Sequence, residues 1–206
     1  MHVSNLPPRR TQAQRRATTR AALLEAAARG LSRAGYGNLI LEQVASEAGY
    51  TRGALYHQFA GKEELALAVV EWVAATWEDG VWEPAQREHD PVAVLIALAR
   101  GHIVFCRRDV ARVMMALRME FDRREHPVGR AVREVERRNI ERLTALIEAG
   151  RRDGSIPAGP PLAAALLGAI EGLAMVVAGK QHDEELAERV VRGVLGPARL
   201  TGNSAS

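Results

Sequence analysis

The side chains of this sequence that bear most on function are suited to hydrogen bonding rather than to making or breaking bonds. Thr51, Arg52, Gly53, Tyr56, His57 and Gln58 fall close together, with Lys62 a little further on. An arginine can donate two hydrogen bonds to a guanine edge, and a small glycine lets another surface come near. The hydroxyl of Tyr56 and the ring of His57 can donate to phosphates. Lys62 would add charge at the amino end of a following helix, where the helix dipole also favours an anion. Each has a plainer reading too: Tyr56 as a core aromatic, Arg52 as a solvated charge, Lys62 as an ordinary exposed lysine.

Those side chains need elements to hold them. The spacing of Leu41, Val44, Ala45 and Ala48 predicts a short helix from about Ile40 to Ala48, stopped by Gly49, where a tight turn wants a positive φ. Thr51 is placed to cap a second short helix running to about Phe59. Gly61 and Lys62 then open a long helix through Leu65, Val69, Trp72 and Val73 to about Asp79. Leu55 and Phe59, packed on the first apolar face, would fix the two short helices as a helix-turn-helix, whose second helix enters a major groove. Upstream, Leu23, Leu24, Ala27 and Leu31 predict a helix from Thr19 to Gly35, and Met1 to Thr18 reads as a flexible basic arm.

Val44-Ala45, Ala48-Gly49, Thr51-Arg52-Gly53-Ala54-Leu55-Tyr56, Phe59 and Lys62-Glu63-Glu64-Leu65 stand in the order and spacing of the DNA-binding segment of the TetR family of repressors, which this chain resembles. Leu23-Leu24, Ala26-Ala27 and Gly35-Tyr36 are similar to that family's first helix, and the Thr-Arg-Gly-Ala-Leu-Tyr wording to its AcrR-type branch. The resemblance implies that Thr51, Arg52 and Gly53 lie near base edges and that Tyr56, His57 and Lys62 grip phosphates. It departs in two places. Leu39 and Ile40 replace the usual threonine pair before the second helix, leaving Asn38 as the substitute cap, and Gly30 stands where a larger apolar residue is common, which should loosen the first helix.

Charge is distributed in keeping with this. Met1 to Lys62 carries nine Arg and Lys against three Glu, a net +6, which leaves −3 for the rest of a chain whose formal charge is +3. A basic first third on an acidic remainder is what nucleic acid at one end would require, although a solvated charge bias gives the same count. With 206 residues, 47% hydrophobic and 26% charged, the chain can bury a core. Alanine, leucine, arginine and glutamate recur throughout, and no run alternates at period two. Cys106, the single cysteine, cannot form an internal disulfide and fits a reducing compartment, so a cytoplasmic location is expected. Met1 to Arg20 has no apolar run of a signal peptide, and Leu162 to Gly179 is interrupted by Glu171 and short for a span, so no membrane partner is expected.

The remaining sequence predicts further helices from Asp90 to about Cys106, Asp109 to about Phe121, Val128 to Asp153, Pro161 to Ala178 and Asp183 to about Leu195. The expected fold is all-α with about nine helices. Its parts are an arm at 1–18, a helix-turn-helix domain at 19–65 and a ligand-binding and dimerisation domain at 66–200. Trp72, Thr76, His102, Phe105, Met114, Met119, Glu120 and Phe121 are candidates to line a cavity, with His102 and Glu120 as polar anchors; core or solvent positions are the alternative for each. Leu162, Leu166, Ile170, Leu173 and Val177, with Leu186, Val190 and Val194, form two apolar stripes that would pair across a two-fold axis or else close the chain's own core.

An enzyme finds little support. No Glu-x-x-His pair, His-Glu-x-x-His, phosphate loop or Gly-x-Ser-x-Gly elbow occurs. No catalytic or metal-ligating residues and no cofactor are expected. The sequence thus points to a homodimeric, ligand-responsive transcriptional repressor of a palindromic operator, its effector an unknown small molecule. A helical-bundle enzyme, or a small-molecule-binding protein without DNA binding, is the alternative.

Overall fold

The computed structural model describes residues 11–196. Among them are ten α-helical segments and no strand: α1 (Gln12–Ala34), α2 (Leu41–Glu47), α3 (Arg52–Tyr56), α4 (Lys62–Trp77), α5 (Glu83–Ala85), α6 (Pro91–Cys106), α7 (Val113–Glu120), α8 (Pro127–Asp153), α9 (Ala163–Val177) and α10 (Asp183–Leu195). A π-helical turn at 78–82 joins α4 to α5, and a 3₁₀ turn at 109–112 precedes α7. Since α5 is a single turn of three residues, nine helices do the packing, as the apolar periodicity predicts.

α1 starts earlier than its apolar stripe does. Thr11 accepts from the Gln14 N–H while the Gln14 side chain accepts from the Thr11 N–H, a capping box that begins the helix at Gln12 rather than Thr19. Residues 11–18, expected as part of the arm, are therefore the capped start of a helix; residues 1–10 of that arm lie outside the described residues. Downstream, α1 buries Leu23, Leu24, Ala27 and Leu31 against α4, α7 and the 3₁₀ turn. It ends at Gly35, whose φ of +73° places it where side-chain-bearing residues are strained.

The start of α2 differs from the expected one. Ile40 occupies the cap without any side-chain hydrogen bond, and Asn38 donates back to the Ala34 carbonyl instead of capping forward. Gly30 also has a packing reason: a Cβ there would lie 2.7 Å from Leu39 Cδ1, so the glycine admits Leu39 against α1 rather than loosening it. Asp90 caps α6 and Pro91 fills its first position, as the sequence implies. The helix expected from Asp109 to Phe121 is broken into the 3₁₀ turn and α7.

α6 lies centrally, packed by α8, α9 and α10. The bidentate pair of Arg107 with Asp183, at 3.1 and 2.7 Å, ties the end of α6 to the start of α10. Arg107 holds the Asp183 carboxyl down to about 2. On α9, Leu166 and Ile170 are buried inside the chain. These two close the monomer's own core rather than standing on an outer stripe, because Ala163, Leu166, Ile170 and Ala174 share one helix face against α6 and α8. The face turned outward carries Gly168, Gly172, Met175 and Val176.

Candidate nucleic-acid interface and sensor cavity

α2 and α3 meet across a turn set by Gly49, at φ +78°, with Val44, Ala45, Leu55 and Phe59 buried between them and α1. With Leu55 and Phe59 directed inward, the 3.6-residue period turns Thr51, Arg52, Gly53, Tyr56 and His57 outward, and all five are exposed. Thr51 caps α3 by accepting the Ala54 N–H at 3.2 Å. Its hydroxyl proton is left to donate. Arg52 lies over the Tyr56 ring and pairs with Glu42 at 2.9 Å. Both partners are exposed, so this pair is worth little and leaves the guanidinium available to exchange partners. Tyr56 is 43% exposed, unlike a core aromatic.

Lys62 has a different setting from the other five. Its Nζ donates to the Gly37 carbonyl at 2.7 Å and sits 5.0 Å from the Tyr36 ring centroid. In this arrangement the ammonium ties α4 to the turn after α1.

The second candidate site is a cavity of about 160 Å³ enclosed by α4, α6, α7, α8 and α9. Of the cavity candidates, His102, Phe105 and Met114 line it; Trp72, Thr76, Met119, Glu120 and Phe121 do not. Helix phase explains the first two, since α4 presents Val73, Ala74 and Trp77 to the cavity, and the Thr76 hydroxyl donates to the Trp72 carbonyl. Met119 is 73% exposed, and Phe121 packs between Tyr36 and His126, at 5.2 and 4.4 Å between ring centroids. Glu120 reaches away from the cavity to the turn at Tyr36 and Gly37.

Trp77, Trp82, Cys106, Arg118 and Glu171 also line the cavity, none of them a candidate for it in the sequence. Arg118 bridges Glu171 at 2.9 Å and Glu136 at 3.3 Å, pairs between distant helices that no local spacing reveals. Burial raises the Glu171 carboxyl, against the pull of Arg118. His102 accepts from Trp77 Nε1 at 3.1 Å and faces Cys106 Sγ at 3.4 Å. Burial lowers its ring to about 4 and raises the Cys106 thiol to about 11, so both are neutral near pH 7. Among the described residues no group of three His, Cys, Asp or Glu side chains is placed to hold a metal ion, and no helix is long and apolar enough to cross a membrane.

A short braced helix with an outward polar face, followed by a larger helical body around a cavity, gives the chain a helix-turn-helix layout with a second helical part. Residues 23–69 match the model of the DNA-binding domain of bacterial regulatory proteins of the tetR family. Over that segment the chain is similar to the TetR family. It is 43% identical over 67 residues to the HTH-type transcriptional regulator CymR of Pseudomonas putida, a match covering 32% of this chain and 33% of CymR; it thus spans about a third of that regulator's length. The fold extends further. The structure of AibR in complex with isovaleryl coenzyme A and operator DNA superposes with a TM-score of 0.74 at 22% identity, covering 87% of this chain and 99% of that one. SCO4454, a TetR-family regulator from Streptomyces coelicolor, gives 0.73 at 23% identity, with 87% and 95% covered.

Proposed function

We propose that the chain is a cytoplasmic, homodimeric repressor that binds a palindromic operator through α3 and releases it when a small molecule fills the cavity. The observation that carries the reading is the sidedness of α3: Leu55 and Phe59 are buried beneath it while Thr51, Arg52, Gly53, Tyr56 and His57 point outward. Arg52 and Thr51 read base edges, Gly53 permits close approach, and Tyr56 and His57 hold phosphates. Lys62 acts as a phosphate contact only by leaving Gly37, and otherwise as a brace.

Two copies pair through the outward face of α9, with Gly168 and Gly172 allowing close approach and Met175 and Val176 supplying apolar area. Leu173, Val177, Leu186, Val190 and Val194, all half-buried, extend that surface. The pair must place its two α3 helices about 34 Å apart to enter successive grooves on one side of DNA.

The cavity suits a mostly apolar ligand. A void of about 150 Å³ takes a benzene-sized group, so about 160 Å³ admits a moiety of that size with polar parts toward the lining arginines Arg112, Arg118, Arg138 and Arg142. AibR carries isovaleryl coenzyme A, an apolar acyl group on a polar carrier. A ligand that displaces the Arg118 pairs would shift α7, and with it the Glu120 grip on the α1–α2 turn; a ligand preferring the shifted state lowers operator affinity by the ratio of its two affinities.

The test is an electrophoretic shift with the chain's own upstream DNA and an unrelated duplex. The wild type should shift the first selectively, and Arg52→Ala should lose that selectivity by about 1–3 kcal/mol. Equal binding of both duplexes by wild type and variant would overturn the reading.

A further inference from the structure

We propose that the first two turns of α1 are a second DNA-contact surface, in which Arg15 and Arg16, backed by Arg20, hold the phosphate backbone flanking the base pairs that α3 meets. The inference rests on the reading that α3 faces the groove.

Its starting point is how charge is neutralised in the first third of the chain. Glu25, Glu42 and Glu47 are the acids before Lys62, and Arg29, Arg33 and Arg52 engage all three. Among the described residues Arg15, Arg16 and Arg20 take part in no ion pair, and residues 1–10 and 197–206 contain no Asp or Glu. The unbalanced positive charge of this region therefore sits on the amino-terminal turns of α1.

Those turns stand clear of the body. Residues 11–18 are exposed on every side, whereas a helix packed along its length hides one face. From Gln12 to Thr19 the overhang is about 10 Å at 1.5 Å per residue, the length of about three base pairs. Arg16 and Arg20 continue the stripe of Leu23, Ala27 and Leu31 at spacings of four, three, four and four. The face that packs on the helix-turn-helix thus becomes basic where its packing partner ends.

Arg20 fixes where the overhang starts. Its guanidinium lies 4.5 Å from the Phe59 ring centroid and 3.5 Å from the Gln58 carbonyl, at the carboxyl side of α3. The basic turns therefore project from the end of the helix that carries the groove-facing residues. The Thr11–Gln14 capping box keeps them helical without a packed face, which fixes the arginines relative to α3. Duplex DNA is the occupant that matches unpaired arginines at this place, since phosphates continue on both sides of any groove site.

The experiment measures binding of the full chain to its own upstream duplex and to an unrelated duplex of equal length across a salt series. Arg15→Ala/Arg16→Ala should fold with unchanged Tm, lower affinity for both duplexes about equally, by about tenfold or more at 0.1 M salt, and flatten the log–log salt slope by about 2. Arg15→Lys/Arg16→Lys should restore the slope, and trimming the duplex flanks should weaken the wild type but not the alanine variant. Unchanged affinity and slope in the alanine variant would sink the proposal. If the wild type does not distinguish the duplexes yet the alanine variant still flattens the slope, the operator reading fails and the contact surface stands.

Discussion

The Glu120 carboxylate at the end of α7 accepts the backbone N–H of Tyr36 at 2.5 Å and that of Gly37 at 2.7 Å. Two backbone donors of the turn after α1 are thus satisfied by a residue from the larger helical part of the chain. Lys62 donates to the Gly37 carbonyl from the other side, and Phe121 and His126 pack on the Tyr36 ring. Through Arg118, the same α7 lines the cavity.

Glu120→Ala removes both acceptors and should lower stability by about 1–2 kcal/mol, read as a Tm about 2–8 °C lower. Amide exchange at Tyr36 and Gly37 should quicken while that of Leu95 and Ile103 in α6 follows only the global loss. Unchanged exchange at the turn would show that the carboxylate does not hold it.

Gly129 is required by close packing rather than by backbone freedom. An added Cβ would lie 2.7 Å from Phe121 Cβ and 3.4 Å from Phe121 Cγ, in the same cluster that holds Tyr36. Gly129→Ala should cost about 1–3 kcal/mol despite its better helix propensity. A variant as stable as wild type in urea would mean that α7 and α8 part easily at this point.

The sequence and the structure agree where information is local. The Gly49 turn, the Thr51 cap and the sidedness of α3 follow from neighbours a few residues apart, and so does the Asp90-Pro91 start of α6. The α1 start was legible too, in Thr11 and Gln14, but the arginines and prolines before it favoured reading an arm. What local patterns could not supply is partner choice at long range. Glu120 read as a cavity anchor because it lies beside Met119 and Phe121, yet its partners are 84 and 83 residues away. Likewise Leu166 and Ile170 form an apolar stripe, but only the packing of α6 and α8 decides that it faces inward.

Gly53 separates binding from folding. A Cβ there would meet only Thr51 Oγ1, at 3.8 Å, so the free chain accepts alanine without strain. Gly53→Ala should leave Tm unchanged or raise it, because alanine favours a helix by up to about 1 kcal/mol, while binding to the upstream duplex weakens. Full DNA binding by this variant would count against close approach at that position.

Met175 and Val176, at 55% and 64% exposed, test the proposed pairing surface without disturbing the buried core, although Met175 also lines the cavity. Met175→Arg/Val176→Asp should fold yet halve the mass seen by light scattering, whereas Leu166→Ala should instead lower stability by about 2–5 kcal/mol. A dimer persisting in the double variant would place the subunit contact elsewhere.

His102 should make the protein sensitive to mild acid. Burial depresses its ring from 6.5 to about 4, and Trp77 Nε1 donates to the nitrogen that protonation would occupy. Between these values the unfolded chain binds a proton that the folded chain does not, so stability rises with pH across this window, is complete above 6.5 and is lost toward 4. The span corresponds to about 3 kcal/mol. Asp183, held at about 2 by Arg107, contributes below its ordinary 3.8 and so acts in a lower range. Glu171, raised by burial, acts with the opposite sign. The difference between wild type and His102→Gln therefore isolates the histidine: urea midpoints measured from pH 4 to 7.5 should fall more steeply on acidification for the wild type. Parallel curves would mean that the ring takes up its proton in the folded state as readily as in the unfolded one.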